Sequence, residues 1–135
     1  MEYIKAFRKA GEPTAAAPDY LCEKVRQAGL DNWQRYHTVE DMSRDISADI
    51  ESLDRFEFLA VDEAGKLTGM LIATQEENPH HGDFLLTRYA FSIDPKSLSV
   101  GYRWLFKLSQ MLDLDGTLYT KKSGKDTIYR FKNND

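Results

Sequence analysis

Apolar and polar side chains alternate over residues 2–7, Glu-Tyr-Ile-Lys-Ala-Phe, which is the period of a short strand. Gly11, Glu12, Pro13 and Thr14 break that period. From Pro18 the spacing becomes helical: Leu21, Val25 and Ala28 fall three to four apart, Asp19 lies in the first turn, and Gly29 is a natural stop. A second helix is predicted from Thr38, a capping residue with Asp41 three positions on. Its apolar stripe is Val39, Met42, Ile46, Ile50 and Leu53. Glu40, Asp45, Asp49 and Glu51 make the other face acidic, the mark of a solvated helix surface.

The period then shortens. Residues 56–61 and 67–74 are β-rich runs joined by Asp-Glu-Ala-Gly-Lys, a loop suited to an antiparallel hairpin. A third run, 84–93, follows the connection Glu-Asn-Pro-His-His-Gly-Asp, so the three are expected to form a meander. Asp94 and Pro95 end it, and a helix follows whose buried stripe is expected to be Trp104, Leu105, Leu108, Met111 and Leu112, with Lys107 outside. Gly116 closes that segment; residues 117–120 and 127–131 read as a terminal strand pair around 121–126, with a frayed tail. The predicted order is β-α-α-β-β-β-α-β-β, a single α/β (α+β) domain over residues 1–135 with one mixed, mostly antiparallel sheet and helices on both faces. The strands on either side of the long helix are expected to be parallel, because a crossover helix is what parallel neighbours need.

Composition bounds the function classes. The 135 residues are 41% hydrophobic, enough for one core, and 18 basic against 22 acidic residues leave a net charge of −4. That balance argues against a nucleic-acid binder, which carries a basic excess to neutralise phosphates. The longest apolar runs, such as 67–73, fall far short of the roughly 20 residues of a membrane helix. Met-Glu-Tyr-Ile-Lys lacks the pattern of a signal peptide, and the single cysteine, Cys22, cannot form an internal disulfide, so a cytoplasmic, reducing setting is expected.

The candidate chemistry lies at the strand-to-helix junction, residues 93–102. A turn of this kind presents backbone N–H groups at the positive end of a helix dipole, which suits a phosphate or pyrophosphate; it is equally the ordinary form of a capped helix start. Ser97, Ser99 and Gly101 keep the approach small, and Lys96 and Arg103 add positive charge. With the element order around it, this junction resembles the GNAT family of acetyl-CoA-dependent N-acyltransferases over about residues 2–120. That family's pyrophosphate loop, Gln/Arg-x-x-Gly-x-Gly/Ala, lies after the fourth strand and opens the third helix. Here Lys96 stands at the Gln/Arg position, Ser99 at the first Gly and Gly101 at the last, so one defining position of three is kept.

The resemblance implies that Ser97, Leu98, Ser99, Val100, Gly101 and Tyr102 hold the pyrophosphate of an acetyl-CoA donor with Lys96 beside them. It also implies that the edge of Phe91, Ser92 and Ile93 pairs with the pantetheine arm, and that an amine or protein acceptor takes the acetyl group by direct attack. Ser99 adds a Cβ where that backbone must come close. Residues 121–126 are too few for the fourth helix of many family members, which leaves the catalytic residues unassigned; Tyr119 and Tyr129 lie in the corresponding region. The compact ending is similar to small acyltransferase-like proteins encoded by bacteriophages, which would place the chain in host cytoplasm or virion.

Candidates for a general base are Glu76, Glu77, His80, His81 and Asp83. Adjacent histidines without helical spacing or cysteine partners do not make a metal signature, and none is expected. Cys22 reads as a structural thiol, Trp33, Tyr36 and His37 as an acceptor entrance or a core edge. Lys121, Lys122, Lys125, Arg130 and Lys132 make the last segment basic against the acidic stretch 40–63. Two functions are therefore expected as alternatives: an N-acetyltransferase, or a GNAT-like fold without catalysis that serves as a phage structural or host-directed interaction module.

Overall fold

The computed structural model describes residues 1–28, 36–80, 82–120 and 127–131. The elements run β1 (Glu2–Arg8), α1 (Asp19–Gln27), α2 (Val39–Glu51), β2 (Arg55–Val61), β3 (Leu67–Asn78), β4 (Gly82–Ser92), α3 (Pro95–Met111), β5 (Gly116–Thr120) and β6 (Thr127–Phe131). They form a mixed α/β domain with one six-stranded sheet in the order β1-β2-β3-β4-β5-β6. Every neighbouring pair is antiparallel except β4–β5, which is parallel and joined through α3.

Alternation along the central strands serves two cores. Leu59, Met70 and Ile72 face α1 and α2, with Leu21, Cys22, Val25, Met42, Ile46 and Ile50. Phe58, Leu71, Ala73 and Leu85 face α3, with Leu105. Both helix starts follow from local chemistry. Thr38 Oγ1 accepts the N–H of Asp41 at 3.0 Å, as its spacing predicts. Asp94 caps α3 and Pro95 occupies its first turn, where a missing N–H costs nothing.

The structure corrects three expectations. α3 begins at Pro95, a residue expected to end the strand before it. Its buried stripe is Ser97, Gly101, Leu105 and Ser109, whereas Met111 is 81% exposed and Leu112 is exposed too. The small residues at four-residue spacing let the helix lie close on the sheet, a preference that counting apolar side chains does not reveal. The connection 76–83 is mostly strand, since Glu76 pairs with Phe84, Glu77 with Asp83 and Asn78 with Gly82. Gly29, residues 121–126 and the tail 132–135 lie outside the described residues.

Candidate functional site

At the start of α3 the donors up to Ser97 are already taken. Asp94 N–H donates to Ser92 Oγ at 2.9 Å, Lys96 N–H to Asp94 Oδ1 at 3.0 Å, and Ser97 N–H to the Asp94 carbonyl at 3.1 Å. Pro95 has none to give. Ser97 Oγ donates to Asp94 Oδ2 at 3.2 Å, so the carboxylate is held from both oxygens. The amides of Ser99 to Tyr102 lie inside the helix, where the carbonyl four residues back is their partner.

The side chains of the expected pyrophosphate loop are divided in the same way. Ser97 is buried. A Cβ on Gly101 would stand 3.0 Å from Phe58 Cδ1 and 3.4 Å from Leu71 Cδ1, so this glycine faces the core and admits the sheet. Tyr102 turns toward β5 and packs on Tyr119 with ring centroids 5.2 Å apart. Burial pushes its hydroxyl up to about 12, and Tyr119 adds to that. Lys96 and Ser99 are exposed, Leu98 and Val100 half-buried. Phe91 packs on the α1/α2 core, Ser92 Oγ donates to the Asp94 carbonyl at 2.6 Å, and Ile93 is exposed. A pyrophosphate at this helix start would meet the Asp94 carboxylate, with the Lys96 and Ser97 amides already bonded to Asp94, a poor match to the group that the resemblance implies.

β4 and β5 are clamped at one end and part at the other. Asp115 N–H donates to the Asp83 carbonyl, and Asp83 N–H to Asp115 Oδ2, each at 2.8 Å. Parallel pairing then covers Phe84–Gly116, Leu85–Thr117 and Leu86–Leu118 only. Beyond Leu86, among the described residues, β4 has no partner strand on that side. Thr87, the next residue, has a buried Oγ1 without a hydrogen-bond partner.

At the same level the register of β3 and β4 shifts: Ile72 pairs with Tyr89 but Ala73 with Thr87, which leaves Arg88 as an extra residue. A bulge sends two successive side chains to one face. Both reach Asp49 of α2, Tyr89 OH donating to Oδ2 at 2.6 Å and Arg88 Nη2 lying 3.3 Å from the same oxygen. Burial, and then the bond to Asp49, raise the Tyr89 hydroxyl well above the ordinary phenol range.

These residues floor an open cleft of ≈ 610 Å³ walled by Tyr36, His37, Asp41, Arg44, Asp45 and Asp49. Asp41, Asp45 and Asp49 stand one helical turn apart on α2. Arg44 bridges Asp41 at 2.7 Å and approaches Asp45 at 3.7 Å. The acidic face predicted to be merely solvated is thus partly built into a cleft. Arg44 and Arg88 carry no mark in the sequence and Asp41 is marked there only by its spacing from the Thr38 cap, because the bulge that brings β4 to α2 has no local signature.

The remaining candidates scatter. Glu76 Oε1 accepts from Thr74 Oγ1 at 3.3 Å, Glu77 and His80 are exposed, and Asp83 serves the β4–β5 clamp. His81, Trp33, Lys121, Lys122, Lys125 and Lys132 lie outside the described residues, as does the side chain of Tyr129. Arg130 lies over the Phe106 ring at 3.7 Å, Arg103 is exposed, and Cys22 is buried. Among the described residues no group of three or more His, Cys, Asp or Glu is placed to hold a metal ion, and no helix is long and apolar enough to cross a membrane. A scan of family models matches none, and a search of curated proteins returns no significant relative.

Proposed function

We propose that the chain is a binding module built on an acyltransferase-like fold, which receives a cationic group of a partner in the cleft between α2 and β4 and does not use acetyl-CoA. The observation that carries this reading is the state of the α3 start: the Asp94 carboxylate occupies it, and the Lys96 and Ser97 amides are bonded to Asp94. The cleft supplies the complementary chemistry. Three aspartates against Arg44 and Arg88 leave a negative balance for an ammonium or guanidinium group, in a cleft that Tyr36 and Tyr89 also line.

Acetyl transfer to an amine is the second reading, and one observation favours it. β4 and β5 part after Leu86, and Thr87 beside that gap holds a hydroxyl without a partner.

Calorimetric titration separates the two. With acetyl-CoA and free CoA, no heat up to millimolar ligand is expected, whereas micromolar binding with thermal stabilisation overturns the proposal and restores the transferase reading. With an Arg- and Lys-containing peptide, binding is expected to weaken with salt and to be lost in Asp45→Lys. Equal binding by wild type and Asp45→Lys removes the cleft from the account.

A further inference from the structure

β1 is the edge strand of the sheet, and no described strand is hydrogen-bonded on its outer side. Edge strands are usually blunted. This one instead exposes large apolar groups on both sides: Ile4 is 40% and Phe7 52% exposed. The pairing with β2 assigns the faces. Phe7 lies opposite Phe56 with rings 4.9 Å apart, and Tyr3 stacks on Phe58 at 5.2 Å, so Tyr3, Lys5 and Phe7 share the α3 side. Glu2, Ile4, Ala6 and Arg8 share the α1/α2 side, where Arg8 approaches Glu57. α3 lies over β3, β4 and β5, leaving the β1 end of its side open.

We infer that β1 is a self-pairing edge, through which two copies of the chain join antiparallel about a twofold axis at Lys5. The strand's own order of charges selects the occupant and the register. Antiparallel pairing of Glu2-Tyr3-Ile4-Lys5-Ala6-Phe7-Arg8 with itself over its whole length sets Glu2 against Arg8 of the second copy, twice. It sets Tyr3 against Phe7 twice and Ile4 against Ala6 twice. Shifting the register by one or two residues loses the Glu2–Arg8 pairs, and the shift that pairs Glu2 with Lys5 engages only part of the strand. The exposed Phe7 ring gains a tyrosine on its open side, between Phe56 of its own chain and Tyr3 of the other. The single mismatch is Lys5 against Lys5, which makes the dimer weak.

Sedimentation equilibrium of the full chain tests this, with variants that move association in opposite directions while circular dichroism checks folding. Wild type is expected to show a concentration-dependent monomer–dimer equilibrium. Glu2→Lys, which turns two attractive pairs into repulsive ones, is expected to weaken it by about tenfold, and Lys5→Thr to tighten it by a similar factor. The register has its own readout. Lys5→Cys places two thiols face to face on the axis and is expected to cross-link under mild oxidation. Phe7→Cys leaves its two thiols four residues apart along the strands, roughly 14 Å, and is expected not to. A chain that stays monomeric at millimolar concentration, a dimer insensitive to both charge variants, or equal cross-linking of both cysteine variants overturns the inference.

Discussion

Tyr89 OH and Asp49 Oδ2, 2.6 Å apart, tie the bulge of β4 to the last turns of α2. The bond spans 40 positions of sequence and sets one wall of the cleft. Tyr89→Phe removes the donor and keeps the ring, and the expected loss is about 1 kcal/mol, because Asp49 remains partly hydrated. Chemical denaturation measures it, and Asp49→Asn in the Tyr89→Phe background is expected to add less than it does alone.

The same contact sets an alkaline limit. The Tyr89 hydroxyl is raised, and that of Tyr102 is pushed up to about 12, burial being the first cause in both. In the unfolded chain both phenols ionise near 10, so above that pH the unfolded state has released protons that the folded state keeps, and stability falls as pH rises. Below pH 10 the contribution is fully present. Absorbance of tyrosinate from these two is expected to rise only as the protein unfolds. A single transition near pH 10 in the folded protein contradicts the assignment.

Gly101 is a packing position. Phe58, the neighbour that would have to give way, is held between the rings of Tyr3 and Trp104 at 5.2 and 5.8 Å. Alanine improves helix propensity by about 1 kcal/mol, yet crowding a filled core costs about 1–3 kcal/mol. Gly101→Ala is therefore expected to be destabilising by about 1 kcal/mol, read as a lower denaturant midpoint at unchanged slope. A rise in the midpoint shows that Phe58 yields.

Arg55 is fully buried and donates to Glu57 Oε2 at 2.8 Å and to the carbonyls of Lys9, Leu53, Glu12 and Pro13. Glu57 also accepts from Thr14 Oγ1 at 2.9 Å. One guanidinium thus fastens the segment after β1 to the start of β2. Arg55→Met leaves a buried carboxylate with fewer partners and is expected to cost about 3 kcal/mol or more. Removing Glu57 as well is expected to cost less than the sum of the two single changes, which a double-mutant cycle reads directly.

Cys22 is buried in α1, and burial, with Asp19 beside it, pushes its thiol up to about 11. At pH 8 it is expected to react with a disulfide reagent only as fast as the chain opens, and at the rate of a free thiol in denaturant. Rapid labelling of the folded protein contradicts its burial.

The legible part of the fold is the part written in local period. Strand alternation, the Thr38 cap and the parallel β4–β5 relation follow from spacing and from the reach of a crossover helix. The Asp94-Pro95 start of α3 carried a local signal of its own, a capping residue followed by proline, which makes Pro95 the first helical residue rather than the end of the strand. Nothing local marks Arg88 as a bulge residue or Asp41 as a cleft wall, because both depend on how β3 and β4 slip past each other.

What the chain's sequence determined alone is its class, a mixed α/β domain, since hydrophobic period and turn chemistry act over a few residues. Tertiary structure decided which face of α3 is buried and how the register shift aims Arg88 and Tyr89 at Asp49. Those outcomes depend on which donors, carboxylates and rings meet across distant strands, and that is a property of packing rather than of spacing.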